Sequence, residues 1–261
     1  MVRPLYNPTS VVPLTQFLAN EGDVMIISAI PAFDDNYIWA IQPAEDNAVI
    51  VVDPGDATPV FEWLAHHQKQ LIGILITHHH WDHTNGILPL VEAFAVPVYG
   101  PHSGHIEGIS HPVAAGDTFT VPGSQCEFQV LATPGHTLDH LSYHTPGHVF
   151  VGDTLFSAGC GRMFEGTPEQ FFHSLQLLAE LPDTTNVYSA HEYTLANLTF
   201  ALAAEPENQK ISDYATAVRQ KRAQGEITLP SSIALEKEIN PFLRATSIQQ
   251  FAELRRWKDQ F

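Results

Sequence analysis

Leu71–Gly86 reads LIGILITHHHWDHTNG. Its first part is a continuous apolar run with one glycine, the pattern of a strand buried on both faces. The run ends at Thr77 and is followed at once by His78, His79, His80, Trp81, Asp82 and His83. Side chains two apart at a strand end share one side, so His78 and His80 can reach one ion while His79 points away. Asp82 and His83 fall where the chain turns toward a helix over 85–95, and they can reach a second ion close to the first. Four ligand-type side chains in a six-residue HxHxDH pattern form a dense metal signal. A solvated surface His cluster has the same composition but does not sit at the end of a buried run.

The same arrangement recurs outward from this segment. Strands are expected at 25–30, 37–42, 48–53, 96–99, 119–121, 126–132, 140–144, 149–151 and 187–190. Helices are expected at 58–70 and 168–181, the latter with Pro168 in its first turn. Residues 100–116, rich in Gly, His and Pro, read as loop. Three strands run into a ligand-type residue: His136 in TPGHT, Asp153 in GDT and His191 in AHE. Open α/β sheets gather their sites at such strand ends. Beyond residue 191 the pattern changes to helices at 195–204, 211–224, 231–239 and 248–258, with no strand between them. The expected organisation is an N-terminal extension (1–24), an α/β domain (25–191) and an all-helical segment (192–261).

Composition narrows the function classes. Of 261 residues, 44% are hydrophobic and 16% charged, which suits a folded domain. No 18-residue apolar run is present, so no membrane-spanning helix is expected. The net charge is −17, unevenly spread. Up to Gln209 there are three basic residues (Arg3, Lys69, Arg162) and 23 acidic ones; from Lys210 onward there are nine basic and six acidic. Nucleic acid and anionic membrane are therefore poor partners. An anionic small molecule would find its counter-charges at Arg162 or near the C-terminus. The two cysteines, Cys126 and Cys160, form no CxxC pair, and no signal-peptide pattern precedes them. A reducing cytoplasmic location is expected. Cys160 reads as a small residue in a glycine turn, not a nucleophile. His140, His144 and His148 are spaced by four, but Thr145-Pro146-Gly147 breaks any helix that would align them.

HxHxDH together with TPGHT, GDT and AHE resembles the metallo-β-lactamase superfamily. IPAFDDNYIW (Ile30–Trp39), GDTLFSAGCGRMFEGT (Gly152–Thr167), AHEYTLAN (Ala190–Asn197), NPFLR (Asn240–Arg244) and LRRWKDQF (Leu254–Phe261) are similar to the hydroxyacylglutathione hydrolases, or glyoxalase II, within it. The resemblance implies an αββα sandwich of two mixed sheets flanked by helices, with a C-terminal helical substrate-binding domain. It implies two divalent ions, zinc foremost and iron or manganese otherwise. His78, His80 and His136 would hold the first; Asp82, His83 and His191 the second; Asp153 would bridge them. Asp82, His83 and Asp153, with a metal-bridging hydroxide, would carry catalysis. The implied reaction is hydrolysis of S-D-lactoylglutathione to glutathione and D-lactate, the second step of methylglyoxal detoxification, in a monomer. Arg162, Tyr193, Arg255 and Lys258 would bind the glutathione. Alternatives on the same fold are a glutathione persulfide dioxygenase and another thioester or lactone hydrolase.

The chain departs from the family at two places. Asp139 stands where relatives often carry Gly, three residues from His136, where it either alters hydrogen bonds or faces solvent. Phe164 stands where many carry Tyr, removing a phenolic hydrogen bond.

Overall fold

The computed structural model describes residues 25–42, 47–102 and 104–261. The expected extension over 1–24 lies outside them. The first half of the chain forms β1 (Ile26–Ala32), β2 (Asn36–Gln42), β3 (Ala48–Val52), α1 (Ala57–His67), β4 (Gln70–Leu75), α2 (Trp81–Thr84), α3 (Ile87–Phe94), β5 (Val98–Pro101) and β6 (His111–Val113). Its six strands make one sheet in sequential order. The β1–β2 and β2–β3 pairs are antiparallel, and the pairs from β3 to β6 are parallel.

The second half forms β7 (Thr118–Thr120), β8 (Glu127–Ala132), β9 (Leu141–Thr145), β10 (His148–Gly152), β11 (Leu155–Phe156), β12 (Gly159–Cys160), α4 (Pro168–Ala179) and β13 (Asn186–Ser189). There follow α5 (Thr194–Ala204), α6 (Gln209–Ala223), β14 (Ser231–Ser232), α7 (Ile233–Ile239) and α8 (Ile248–Lys258). The second sheet has the order β14-β13-β10-β9-β8-β7, and β11 pairs with β12.

Alternation along the strands builds the layers. In β2, Tyr37, Trp39 and Ile41 face a core shared with Phe128, Tyr143, Phe150 and Tyr188 of the second sheet. Ile38 and Ala40 face the opposite side, onto Val60 and Leu64 of α1 and Leu90 of α3. In β10, Phe150 faces the inter-sheet core, while Val149 and Val151 pack on Phe171 and Leu175 of α4 and on Phe251 of α8. Period-2 placement with both faces apolar requires cover on both sides, and the result is an αββα sandwich. The segment after residue 191 has its own small core, where Leu198 and Ala201 of α5 meet Ile211, Ala215 and Val218 of α6 and Ile239 of α7.

Three local differences from the sequence expectations have physical reasons. The first helix stops at His67 because Gln68 takes a left-handed conformation (φ 55°) that caps it, and Gln70 already belongs to β4. The loop over 100–116 contains β6, whose Pro112 is tolerated because β6 is an edge strand. The C-terminal segment contributes one strand: Ser231 and Ser232 pair antiparallel with Val187 and Asn186. Two serines carry no strand pattern, so only the pairing partner creates β14.

Candidate metal centre

β4 ends at Leu75, and Ile76–His80 continue past it to the edge where β3 also ends. Asp53, one residue beyond β3, has φ 53°, a left-handed geometry that asparagine and aspartate tolerate better than most residues. That turn points its carboxylate back at the neighbouring strand end. Asp53 Oδ1 accepts from the Thr77 N–H (2.8 Å), and Oδ2 accepts from the Thr77 hydroxyl (2.7 Å) and from His83 Nδ1 (3.0 Å). The Thr77 hydroxyl oxygen in turn accepts from His78 Nδ1 at 3.0 Å. Asp53 thus orients His83 directly and His78 through Thr77.

The other histidines are fixed the same way. His136 Nδ1 donates to the Arg162 carbonyl at 2.7 Å, and His191 Nδ1 donates to Asp35 Oδ1 at 2.8 Å. An imidazole that donates from Nδ1 leaves the lone pair of Nε2 free to bind a metal. Four of the histidines therefore present Nε2 to a common centre. His80 presents Nδ1, which lies 3.0 Å from His136 Nε2.

The facing atoms fall into two groups that share Asp153. His78, His80, His136 and Asp153 have ligand atoms within 4.8 Å of one another, as do Asp82, His83 and His191. Asp153 Oδ2 is 3.3 Å from His136 Nε2, while its Oδ1 is 3.4 Å from His191 Nε2 and 3.6 Å from His83 Nε2. Asp82 Oδ2 is 3.5 Å from both His83 Nε2 and His191 Nε2. Tetrahedral coordination at bonds of about 2.0–2.2 Å separates neighbouring ligand atoms by about 3.3–3.6 Å. His78 Nε2, His83 Nε2 and Asp153 Oδ1 are buried and make no hydrogen bond. Buried polar atoms at coordination spacing, without partners, are the donor set a cation satisfies. The residues fit a bound metal ion.

The charge pattern agrees. Burial pushes the Asp153 carboxyl up, but His191 and His83 outweigh it and hold Asp153 well below the usual carboxylate range. Burial likewise opposes ionisation of Asp82, and the hydrogen bond and charge of His83 reverse it. Burial, then the charges of His83 and His140, keep His78 well below its ordinary value, so it stays neutral. His83 is pulled down by burial and raised further by Asp153 and Asp53. Asp153 likewise raises His191 against its burial, so the two ionised carboxylates favour positive charge, proton or metal, among the buried imidazoles.

Several positioning residues were not singled out in the sequence. His140 is buried, stacks on His78 with ring centroids 4.7 Å apart, and accepts from the Asp153 N–H through Nε2 at 3.1 Å. Its Nδ1 lies 3.1 Å from the hydroxyls of both Thr133 and Thr154. Its signal was its place four residues after His136, not its spacing to His144. Asp35 on His191 and Asn36, whose Nδ2 donates to Asp82 Oδ2 at 3.1 Å, lie in the segment Ile30–Trp39. Nothing in that segment alone indicates which ligand each would orient.

Of the residues implied for substrate binding, Tyr193 and Arg162 lie beside this centre, while Arg255 and Lys258 lie on α8. Tyr193 stacks on His191 with ring centroids 4.7 Å apart and is 37% exposed. Arg162 is exposed, its guanidinium 5.5 Å from the centroid of the Phe164 ring. That ring lies edge-on to His80 and His136 and is itself 59% exposed. Lys258 is half-buried, with Nζ 5.2 Å from the Phe200 ring centroid. Arg255 is only 4% exposed. Its Nη1 donates to the carbonyls of Cys160 (3.1 Å) and Gly161 (3.3 Å), and its Nη2 pairs with Asp259 at 2.8 Å. Arg255 therefore braces α8 against the loop that carries Arg162.

A family model of the metallo-β-lactamase superfamily matches residues 32–191, and one of the hydroxyacylglutathione hydrolase C-terminus matches residues 192–261. A hydroxyacylglutathione hydrolase from Idiomarina loihiensis is 52% identical over 253 residues, covering 90% of this chain and 99% of the relative. One from Nitrosomonas europaea is 46% identical, covering 89% of this chain and 95% of the relative. Among solved structures, ETHE1 from Myxococcus xanthus is similar with a TM-score of 0.68 at 29% identity, over 89% of this chain and 90% of that one.

Proposed function

The chain belongs to the hydroxyacylglutathione hydrolase family of the metallo-β-lactamase superfamily, and from that premise we propose that it hydrolyses 2-hydroxyacyl-glutathione thioesters. The foremost substrate is S-D-lactoylglutathione, giving glutathione and D-lactate as the second step of methylglyoxal removal. The observation that carries the reading is the pair of buried ligand groups joined through Asp153.

In this reading His78, His80 and His136 would hold one divalent ion and Asp82, His83 and His191 another, with Asp153 available to both groups. Two such ions, zinc foremost, would supply a nucleophilic hydroxide near neutral pH and a Lewis acid for the carbonyl oxygen. Asp82, His83 and Asp153 are then the catalytic residues. Their task is to keep the cavity anionic, fix the cations and orient the attack. Asp53 and Asp35 prevent His83 and His191 from turning away. A thiolate is a good leaving group, so the chemistry needs no strong general acid, and none stands poised among the described residues. Cys160, whose thiol burial pushes up to about 11, takes no part as a nucleophile.

Residues 25–191 act as the catalytic unit and 192–261 as the substrate-binding unit. Arg162, Lys258 and Tyr193 meet the anionic glutathione moiety, and Arg255 adds its charge while bracing the loop. Guanidinium forks and a mobile ammonium suit the carboxylates of that tripeptide. The alternatives, persulfide oxidation and lactone hydrolysis, have less support, because the relatives at 46–52% identity are named as hydrolases of hydroxyacylglutathione.

The test is steady-state thiol release from S-D-lactoylglutathione beside a thioester of the same acyl group on a neutral, truncated thiol. The expected result is a preference for the glutathione thioester of at least about 100-fold in kcat/KM, since two or more charge-assisted hydrogen bonds distinguish them. Equal rates would remove glutathione recognition from the account. No hydrolysis of either by the metal-loaded chain would remove the thioesterase itself.

A further inference from the structure

His79 is the middle histidine of the HxHxDH segment, directed away from the ligand atoms. It does not face open solvent. Its Nδ1 lies 2.9 Å from Asp139 Oδ1, and its Nε2 lies 3.3 Å from Glu165 Oε1. Each carboxylate is anchored in turn. Asp139 Oδ1 also accepts from the Thr137 hydroxyl at 2.7 Å, and Glu165 Oε2 accepts from the Leu138 N–H at 2.8 Å. Three segments meet here. The end of β4 carries His78 and His80, the 134–140 turn carries His136, and the 161–166 loop carries the carbonyl that orients His136. Backbone hydrogen bonds from Phe164 to His136 (3.2 Å) and from Gly166 to Gly135 (3.1 Å) join the last two segments. Through its two ring nitrogens His79 ties both of these loops to the strand that supplies the other two ligands.

The trio could also be read as a further cation site, since its ligand atoms come within 4.8 Å of one another. The orientation argues against it. The two carboxylates lie at opposite nitrogens of one ring, and an ion takes only one ring nitrogen. A clasp that sets the ring between the two carboxylates engages both. Ligand orientation depends on partners beyond the ligands themselves, and their loss typically costs about 10–100-fold in metal affinity or activity.

We propose that His79, held between Asp139 and Glu165, is a positioning residue that sets the separation of His136 from His78 and His80. The proposal rests on the reading of those three residues, with Asp153, as one metal group. It assigns a task to Asp139, the position at which this chain departs from its family resemblance. The clasp bears on one group of ligands only. Asp82, His83 and His191 are oriented by Asn36, Asp53 and Asp35, none of which touches His79.

The experiment titrates the full chain, stripped by a strong chelator, with Zn²⁺ in competition with a chromogenic chelator, and records the melting temperature of the metal-free protein. The variants are His79→Ala, His79→Gln, Asp139→Asn and His136→Ala. The expected result is two zinc equivalents in the parent chain. His79→Ala should weaken one of them about tenfold and leave the other unchanged. His79→Gln, which keeps one donor, should recover part of the loss, and Asp139→Asn should reproduce part of it. The melting temperature of the metal-free chain should stay within a few degrees in all of these. Equal weakening of both equivalents with a lower melting temperature would make His79 structural only and overturn the proposal. So would unchanged affinities, or a third equivalent that disappears with His79→Ala. If His136→Ala removes no zinc, the metal reading itself fails and the clasp falls with it, an outcome distinct from failure of His79 alone.

Discussion

At the shared edge of the two sheets, charged and polar groups are buried and each is held at two points. Asp153 takes a backbone hydrogen bond through its own N–H while its carboxylate faces three histidines, and His83 is held by Asp53 at one nitrogen while the other faces the centre. Around α8 and the loop it braces, Arg162 is exposed and Lys258 half-buried. Among the described residues the one buried Lys or Arg, Arg255, is engaged by Cys160, Gly161 and Asp259. On the proposed function, the difference follows from what each region would hold. A small ion needs lone pairs fixed to a few tenths of an ångström in a dry cavity. A flexible anionic tripeptide needs charge that can follow it, in contact with water. Substitutions at the edge should therefore act on chemistry and metal retention, and those in the tail on binding.

The largest test of that contrast is Asp153→Ala. Removing the carboxylate that faces both groups should lower kcat/KM at least about 10³-fold, roughly 4 kcal/mol, with loss of bound metal measured by elemental analysis. Full metal content with normal turnover would show that the two groups do not depend on their shared carboxylate. Next is Asp53→Ala, which leaves His83 and Thr77 without their acceptor. About 10–100-fold loss in kcat with little change in KM is expected in steady-state assays. A pure KM effect would place Asp53 on the wrong side of the comparison.

Lys258→Ala sharpens the other side. KM for the glutathione thioester should rise about tenfold with kcat within twofold, and the penalty should shrink as salt is raised from low ionic strength. A kcat effect insensitive to salt would mean that the tail takes part in the chemistry. The smallest effect concerns Cys160, which sits between the regions. Burial raises its thiol to about 11 against the opposing pull of Arg255. Only about one thiolate in a thousand is expected at pH 8, rising with pH, so the native chain should resist alkylation there as followed by mass spectrometry. Rapid labelling at pH 8 would contradict the buried brace between α8 and the 160–162 loop.

The two regions also differ in how far the sequence disclosed them. HxHxDH was legible because strand parity is local: a buried apolar run that ends at Thr77 dictates which of the next side chains share a side. His136, Asp153 and His191 were legible as strand-end residues for the same reason, as was the layered α/β architecture. Asp53 at a strand end could be read as a partner to a metal histidine, but which histidine it holds, and the Asp35 link to His191, could not, since the linked residues lie 30 and 156 positions apart. Pro54-Gly55 marks a turn after Asp53, but not the left-handed backbone at Asp53 that makes the first link. In the tail, helices α5 to α8 follow from amphipathic spacing, whereas β14 exists only because β13 offers an edge. Whether Arg255 faces ligand or protein was likewise closed to sequence reading. The spacing of Arg255 and Lys258 places them on one face of α8 but does not say that carbonyls of Cys160 and Gly161 lie opposite the first of them.

On the proposed function, two ions act as one centre. The most direct measurement adds Zn²⁺ stepwise to the chelator-stripped chain while following thiol release from S-D-lactoylglutathione. The predicted result is activity that appears with added zinc and reaches its plateau at two equivalents per chain. A plateau at one equivalent, or full activity before any zinc is added, would contradict it.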